Sequence, residues 1–216
     1  PQPMLGSRSD RPQAYKEMIE AMDEGVGRII DTVRRLGLQD RTFVFFCSDN
    51  GATGPGSNGP LRGRKGGLFE GCHRVPAIAH WPGRIKKGTV TDFLTLSMDL
   101  FPTMVALASI DPAPALALDG VDLSPILFGG PRPAGRTVFW RYRNERVARR
   151  GPWKLLIRSK DGRDTVHLFN LDRDLSERNN LADEHPEWVA QLRAALLDWE
   201  QDVEADAAKA RQEASQ

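Results

Sequence analysis

Residues 42–73 read TFVFFCSDNGATGPGSNGPLRGRKGGLFEGCH, and the fold prediction for the rest of the chain starts from this stretch. It opens with an apolar run, Thr42–Cys47, whose aromatic and β-branched residues predict a strand buried on both faces, as in a parallel sheet. Asp49 and Asn50 follow the run, at the edge where open α/β sheets bind ligands. A carboxylate next to an amide oxygen is the type of ligand that Ca²⁺ or Mg²⁺ prefers.

The segment that follows, residues 51–67, is rich in Gly and Pro and predicts a long loop of the kind that is usually functional. It carries three cations, Arg62, Arg64 and Lys65, that can meet an anion held near a metal. Two plainer interpretations stay open on these residues alone. Asp-Asn-Gly is an ordinary turn signal, and basic residues in a Gly-rich loop are often only solvated.

The residues before this stretch predict a loop and then a helix. Residues 1–12 are polar and rich in Pro, Arg and Ser, and they indicate a loop or a severed linker. Tyr15–Leu36 carries apolar residues at steps of three and four, which predicts an amphipathic helix ending near Gly37. A helix, a short connection and a buried strand make half of a βαβ unit.

The pattern changes after GGPRPAG at residues 129–135, which we take as a domain boundary. Four short strands separated by turn residues predict an antiparallel sheet; they are Thr137–Arg143, Arg146–Arg149, Trp153–Ile157 and Val166–Asn170. An amphipathic helix is predicted over Glu187–Val203, and residues 204–216 are predicted to fray. Residues 13–128 and 136–203 are therefore predicted to be two separate domains.

Composition limits the classes of partner. The chain has 216 residues and a net charge of +1, which gives no reason to expect nucleic acid as a partner. No apolar run reaches the 18 residues that a membrane-spanning helix needs. The two cysteines, Cys47 and Cys72, do not make a disulfide framework, and we expect Cys47 to be a buried thiol.

Several motifs together resemble the sulfatase family, the type I enzymes of the alkaline phosphatase superfamily that use a formylglycine nucleophile. The resemblance is carried by SDNG (48–51), PLRGRKGGLFEGCHRVPAIAHWPGRI (60–85), MDLFPTMVALA (98–108), LDGVDLSPIL (118–127), GPWKLL (151–156) and LFNLDRDLSERNNLADEHPEW (168–188). It implies an α/β fold: the second part of an alkaline-phosphatase-like sandwich, with a mostly parallel sheet, followed by a small antiparallel α+β subdomain.

The resemblance also implies roles for individual residues. Asp49 and Asn50 match the pair that binds the divalent metal, usually Ca²⁺, and Lys65 matches the lysine that contacts sulfate. For Arg62, loop packing or a salt bridge is favoured over substrate contact. For His73, a structural role is favoured over substrate contact. Glu70 is interpreted as a carboxylate on a helix surface, with pairing to a cation as the alternative.

The family's nucleophile pattern, C/S-x-P-x-R, is absent, since neither Cys47 nor Cys72 fits it. The chain therefore resembles the C-terminal half of a sulfatase, with formylglycine expected in a missing N-terminal half, which would be its partner. Made alone, the chain is expected to be inactive and to bind Ca²⁺ weakly, because two ligands supply too few oxygens. The family implies a periplasmic or secreted location rather than a cytoplasmic one.

Three functions stay open. The first is hydrolysis of sulfate monoesters, on a small molecule or a carbohydrate. The second is hydrolysis of phosphonate monoesters or phosphodiesters in the same superfamily, whose needs for a metal and cations overlap. The third is a non-catalytic, truncated product or binding module. The coding sequence upstream of Pro1, read for paired aspartates and C/S-x-P-x-R, separates the third from the other two.

Overall fold

A computed structural model describes residues 10–110 and 118–214 of the chain. By contacts the chain divides into two compact units: residues up to Ser48 with Pro76–Ala134, and Asp49–Val75 with the residues from Gly135 onward. The described helices and strands are, in order, α1 (Arg11–Arg35), β1 (Val44–Cys47), α2 (Glu70–His73), β2 (Ala77–His80), α3 (Leu100–Leu107), α4 (Ser124–Leu127), β3 (Thr137–Tyr142), β4 (Glu145–Arg150), β5 (Trp153–Lys160), β6 (Arg163–Asn170) and α5 (Pro186–Glu213).

Helix α1 begins earlier than the sequence predicted. Asp10 caps it by accepting a hydrogen bond from the Gln13 backbone N–H at 3.4 Å, and Pro12 lies in its first turn, where the missing N–H costs nothing. The end of the predicted N-terminal loop is therefore helical, while residues 1–9 of that loop lie outside the described residues. No residue of α1 is buried, and Met18 and Ile29 on its apolar stripe are among the exposed residues.

Strand β1 corrects the expectation of a parallel strand buried on both faces. It pairs with β2 in an antiparallel two-stranded sheet, from Val44 opposite His80 to Cys47 opposite Ala77. Its residues are half-buried or exposed, and the Cys47 thiol is exposed rather than buried. In the described chain β2 is the one strand that pairs with β1.

Asp99 links the start of α3 to the segment that begins at residue 118. Its fully buried carboxylate accepts hydrogen bonds from the Leu96 N–H at 2.7 Å and the Val121 N–H at 2.9 Å. The hydroxyl of buried Thr103 accepts one from the Leu123 N–H at 2.9 Å. The segment around residues 118–127 therefore packs back onto its own unit.

The second unit contains the predicted antiparallel sheet. Strands β3–β4–β5–β6, here termed the tail sheet, pair in sequence order and all antiparallel. The turns at Arg143, Asp161 and Gly162 have positive φ angles, which tight hairpin turns require. The α/β class and the antiparallel α+β tail are confirmed.

Helix α5 covers one face of the tail sheet. Leu192 and Leu196 of the helix are fully buried against Leu155 and Leu168 of the strands. The helix does not fray after Val203, as the sequence analysis expected, but continues to Glu213. The Ala, Glu, Lys, Arg and Gln residues of that stretch are strong helix formers, which accounts for the extension.

The opposite face of the tail sheet carries residues 49–75, here termed the site segment. Leu68, Phe69 and Cys72 pack in one buried cluster with Val147 and Leu156 of the sheet. Alternation along the strands therefore gives the sheet two buried faces, one against α5 and one against the site segment. By contacts the site segment belongs with the tail; the domain boundaries proposed from sequence stay a prediction.

Candidate functional site

The site segment is closed on itself by short backbone contacts. The Gly51 N–H donates to the Cys72 carbonyl at 2.9 Å, and the Gly71 N–H donates to the Arg62 carbonyl at 2.7 Å. The Asn58 side chain bridges the loop, accepting from the Ala52 N–H at 2.7 Å. A Cβ on Gly51 would lie 1.8 Å from the Gly71 carbonyl oxygen, so the two chain sections meet where only glycine fits.

Asp49 and Asn50 lie next to each other at the start of the site segment. The Asn50 side-chain amide donates a short hydrogen bond to the Asp49 carboxylate. Asp49 is exposed and Asn50 is half-buried. In the part of the chain that the structure describes, no three His, Cys, Asp or Glu side chains gather as a metal site. This hydrogen bond turns the Asn50 amide N–H toward the carboxylate, and the metal role of the pair stays a prediction.

Lys65 lies on the exposed stretch of the site segment, in the sequence Arg62-Gly63-Arg64-Lys65. It comes three residues before Leu68, whose N–H donates to the Glu145 Oε2 atom at 2.9 Å. The chain on the C-terminal side of Lys65 is therefore held against the tail sheet. The contact of Lys65 with sulfate, which the resemblance implies, stays a prediction.

A buried ion cluster fixes the end of the site segment to the tail sheet. The Lys154 Nζ atom lies 2.9 Å from Glu70 Oε1 and 2.8 Å from Glu177 Oε1, and all three side chains are fully buried. The Glu70 N–H also donates to Glu177 Oε2 at 2.6 Å. We term these three residues the Lys154 cluster. The interpretation of Glu70 as a carboxylate on a helix surface is wrong; it pairs with a cation.

Two arginines make the surroundings of the two carboxylates unequal. Arg149 and Arg74 lie 3.2 Å and 3.5 Å from Glu70 Oε2. Burial by itself raises the pKa of Glu70, but the charges of Lys154 and Arg149 outweigh it, so that pKa lies below its usual value. Burial also raises the pKa of Glu177, and Lys154 offsets this only in part. Glu70 is thus the better neutralised carboxylate.

Arg62 and the Lys154 cluster meet at Glu177. The Arg62 Nη1 atom donates to the Glu177 carbonyl at 2.6 Å, and the guanidinium carbon lies 3.9 Å from the centre of the Phe69 ring. Glu177 has a φ of 52°, an uncommon conformation for a residue with a side chain. These contacts give Arg62 a packing role; its contact with substrate stays a prediction.

His73 ends the α2 turn and is largely buried. Its ring stacks on Trp140, with the ring centres 4.6 Å apart, and its Nε2 atom lies 3.4 Å from Lys154 Nζ. Burial lowers the pKa of His73 to about 4, and the charge of Lys154 adds to that effect. The imidazole is therefore neutral at neutral pH, and its predicted contact with substrate stays a prediction.

The buried histidine should make the stability of the chain depend on pH. Between pH 6.5 and about pH 4, His73 of the unfolded chain takes up a proton that the folded chain refuses. The unfolded state then binds more protons, so stability falls as the pH falls, by at most about 3 kcal/mol. Urea unfolding of the chain at pH 7 and pH 5 should show this loss, and His73→Phe, which keeps a ring on Trp140, should reduce it.

A second histidine variant controls for general effects of pH. His185→Phe removes a more exposed imidazole and keeps His73, so it should show the same loss between pH 7 and pH 5 as the unaltered chain. Equal pH dependence in the unaltered chain and in His73→Phe would contradict the assignment.

The sequence analysis missed Lys154 and Glu177 as residues of the site. A signal for Lys154 was present, because alternation puts it on the same strand face as Leu156, which is fully buried. A lysine on an apolar strand face needs a carboxylate partner. No comparable signal marks Glu177, which lies in the loop sequence DLSERNN (174–180).

Comparison with known proteins gives matches to two family models. The model described as Sulfatase matches residues 2–110. The model described as N-sulphoglucosamine sulphohydrolase, C-terminal, matches residues 64–202, which is well over half of the chain.

Curated relatives are sulfatases. N-acetylgalactosamine-6-sulfatase of Sus scrofa is 43% identical over 140 residues, which cover 62% of this chain and 27% of that protein. Steryl-sulfatase of Mus musculus is 39% identical and arylsulfatase A of Bos taurus is 43% identical, over 61% and 58% of this chain and 23% and 25% of those proteins. The matched part thus spans about a quarter of the length of these relatives.

Two solved structures align with most of this chain. A structure of Ps i-CgsB in complex with k-i-k-neocarrahexaose aligns with a TM-score of 0.79 at 26% identity, covering 91% of this chain and 44% of that one. A structure described under metabolism of multiple glycosaminoglycans by Bacteroides thetaiotaomicron aligns with a TM-score of 0.75 at 25% identity, over 93% of this chain and 47% of that one. With the SDNG segment and the tail sheet both in place, the chain belongs to the sulfatase family, in the alkaline phosphatase superfamily.

Proposed function

We propose that the protein is a sulfuric ester hydrolase and that this chain supplies part of its metal and sulfate site. The observation that carries the proposal is the closed site segment: it starts with the adjacent Asp49 and Asn50 side chains, and the buried Lys154 cluster fixes its other end. Sulfuric ester hydrolysis needs fixed charges, because negative charge moves onto oxygen atoms in the transition state. A segment clamped in this way can present such charges without reorganising.

Asp49 and Asn50 are the residues of this chain that would hold Ca²⁺, or Mg²⁺. When bound, the ion supplies Lewis-acid polarisation of a sulfate oxygen. Ca²⁺ takes six to eight oxygen ligands, so these two residues can be only part of the set. The short hydrogen bond between them shows that their polar ends already lie side by side. A formylglycine nucleophile would come from another part of the protein.

Lys65 would contact the sulfate group of the substrate. Its ammonium group is a compact charge with three donors, suited to an oxyanion whose charge grows during the reaction. The adjacent Arg62 is held by Glu177 and Phe69 and so would fix the direction from which the segment approaches. His73, neutral and largely buried, is a further candidate for substrate contact.

The substrate we propose is a sulfated carbohydrate. N-acetylgalactosamine-6-sulfatase and the oligosaccharide complex of Ps i-CgsB support this class by likeness. A location outside the cytoplasm would suit such a substrate and stays part of the proposal. In the described residues no helix has both the length and the apolar character to cross a membrane.

Substitution of Lys65 by alanine tests the proposed role. In the active protein, Lys65→Ala should lower kcat/KM for an aryl sulfate by roughly 10²–10³, the usual scale for loss of one charge-stabilising donor. Asp49→Ala should give a loss that added Ca²⁺ partly restores. Lys87→Ala, which removes an exposed lysine of the other unit, is the matched control and should change activity little.

The same assay distinguishes hydrolysis of sulfate esters from hydrolysis of phosphonate monoesters or phosphodiesters. An aryl phosphonate monoester and a phosphodiester are offered beside the aryl sulfate, and the products are identified. Preference for either phosphorus ester would favour the second hydrolase function over the sulfatase. Undiminished activity of Lys65→Ala on the sulfate would remove Lys65 from the site.

A further inference from the structure

The β5–β6 hairpin separates its charges between the two faces of the tail sheet. Paired residues share a face, and Leu156 pairs with His167, Arg158 with Thr165, and Lys160 with Arg163. Alternation therefore puts cationic or ionisable basic side chains on the face that carries the site segment; they are Arg158, Lys160, Arg163 and His167. We term these four residues the basic strip.

The other face of the hairpin has the opposite character. Asp164 there accepts hydrogen bonds from Ser159 at 2.6 Å and from Arg146 at 3.1 Å, and it lies 3.7 Å from Arg193 of α5. The acidic residue is thus neutralised on the helix side of the sheet. The Asp164 carboxylate therefore does not neutralise the cations of the basic strip, which lie on the opposite face.

The basic strip is organised around a buried aromatic ring of the site segment. The guanidinium carbons of Arg62 and Arg158 lie 3.9 Å and 4.7 Å from the centre of the Phe69 ring. A guanidinium packed on an aromatic face presents several N–H donors at its edge; one donor of Arg62 is used by the Glu177 carbonyl and one of Arg158 by the Glu145 carboxylate. The two cations are also close enough to His167 to lower its pKa, after burial, which lowers it most. The two guanidinium groups therefore lie on the same ring, while the lowered pKa favours the neutral form of His167.

The strip adjoins the segment that carries Lys65. The Glu145 carboxylate joins them: its Oε2 atom accepts from the Leu68 N–H at 2.9 Å and its Oε1 atom accepts from Arg158 Nε at 2.7 Å. The side chain of Arg158 remains 37% exposed while making this contact. Glu145 thus contacts both the segment that carries Lys65 and Arg158 of the basic strip.

We propose that the basic strip, with Arg62, binds the anionic groups of a sulfated carbohydrate chain beyond the ester that is cleaved. The proposal rests on the proposed function, which places the cleaved ester at Lys65. Complementarity of charge selects the occupant, because spaced cations along the β5–β6 hairpin match repeated sulfate or carboxylate groups better than a single small anion. The protein would then prefer polymeric over monomeric sulfate esters.

Two double variants of equal charge change test the strip. Lys160→Gln with Arg163→Gln removes the two exposed cations at the hairpin tip, and Arg173→Gln with Lys209→Gln removes two exposed cations elsewhere in the same unit. Binding to a chondroitin sulfate hexasaccharide, its desulfated counterpart and inorganic sulfate is measured by calorimetry at two salt concentrations. The first variant should weaken hexasaccharide binding roughly three- to tenfold and reduce its salt dependence.

The other measurements decide between the strip and general charge attraction. The control variant should bind the hexasaccharide with an affinity within about twofold of that of the unaltered protein. Inorganic sulfate should bind far more weakly than the hexasaccharide to the unaltered protein and to both double variants. Equal losses in the two variants, or inorganic sulfate binding as tightly as the hexasaccharide, would overturn the proposal. Binding needs no turnover, so a failure of the sulfatase assay would leave this result to be judged by itself.

Discussion

Replacing Lys154 with methionine is expected to lower the free energy of unfolding by roughly 3–5 kcal/mol, the range for breaking a buried ion pair. Methionine fills a similar volume but leaves Glu70 and Glu177 facing each other without the cation that lies within 2.9 Å of both. Both carboxylates are fully buried, so water cannot replace the lost charge. Urea unfolding followed by tryptophan fluorescence measures the change.

The pH dependence of this loss identifies its cause. Without Lys154 the folded-state pKa values of the two carboxylates rise, so the loss should be full at neutral pH and shrink as the pH falls and they become protonated. Adding Glu70→Gln and Glu177→Gln to the variant should recover part of the stability. Lys160→Met, at the exposed end of the same strand, is the control and should cost less than about 0.5 kcal/mol. Equal midpoints of urea unfolding for Lys154→Met and Lys160→Met would refute the stabilising role of the Lys154 cluster.

Replacing Gly71 with alanine is expected to open the site segment. The added Cβ would lie 2.6 Å, 2.8 Å and 2.9 Å from the carbonyl oxygens of Arg62, Gly63 and Leu61. These backbone atoms cannot yield as a flexible side chain would, so the hydrogen bond from the Gly71 N–H to the Arg62 carbonyl should be lost. We expect a cost of about 3 kcal/mol, at the upper end for overpacking.

Limited trypsin digestion gives the readout for this variant. The enzyme cuts after Arg62, Arg64 and Lys65, and an opened segment should be cut faster at these positions before the tail sheet unfolds. Gly135→Ala is the control, since a Cβ there meets nothing within 4 Å. Cleavage at the same rate in Gly71→Ala and in Gly135→Ala would show that the segment does not need the close approach.

The tail could be predicted strand by strand because its signals are local. Turn residues punctuate short apolar runs, and period-two alternation then gives each strand its faces. The first unit was harder to predict. The run Thr42–Cys47 has the composition of a strand buried on both faces, yet β1 meets one partner strand in the described chain. The composition of a strand indicates how much apolar surface it can bury. The number of strands that pair with it is set by the fold around it.

In the candidate site, too, some features could be predicted from local sequence and others depended on distant parts of the chain. Asp49, Asn50 and Lys65 were found from motif order, and their roles await the variants described above. Glu70 was assigned to a helix surface because one residue of sequence context cannot reveal a cation 84 positions away. His73 was found, but its depressed pKa follows from burial and from Lys154, neither of which is local to it.

The sequence by itself determined the family and the antiparallel tail, because each depends on motifs and periodicities within a few residues. Only the tertiary structure decided that the site segment lies on the tail sheet and that Lys154 is buried between Glu70 and Glu177. The physical reason is that a buried charge is tolerated only where distant parts of the chain supply its partners. Those partners are chosen by the fold as a whole.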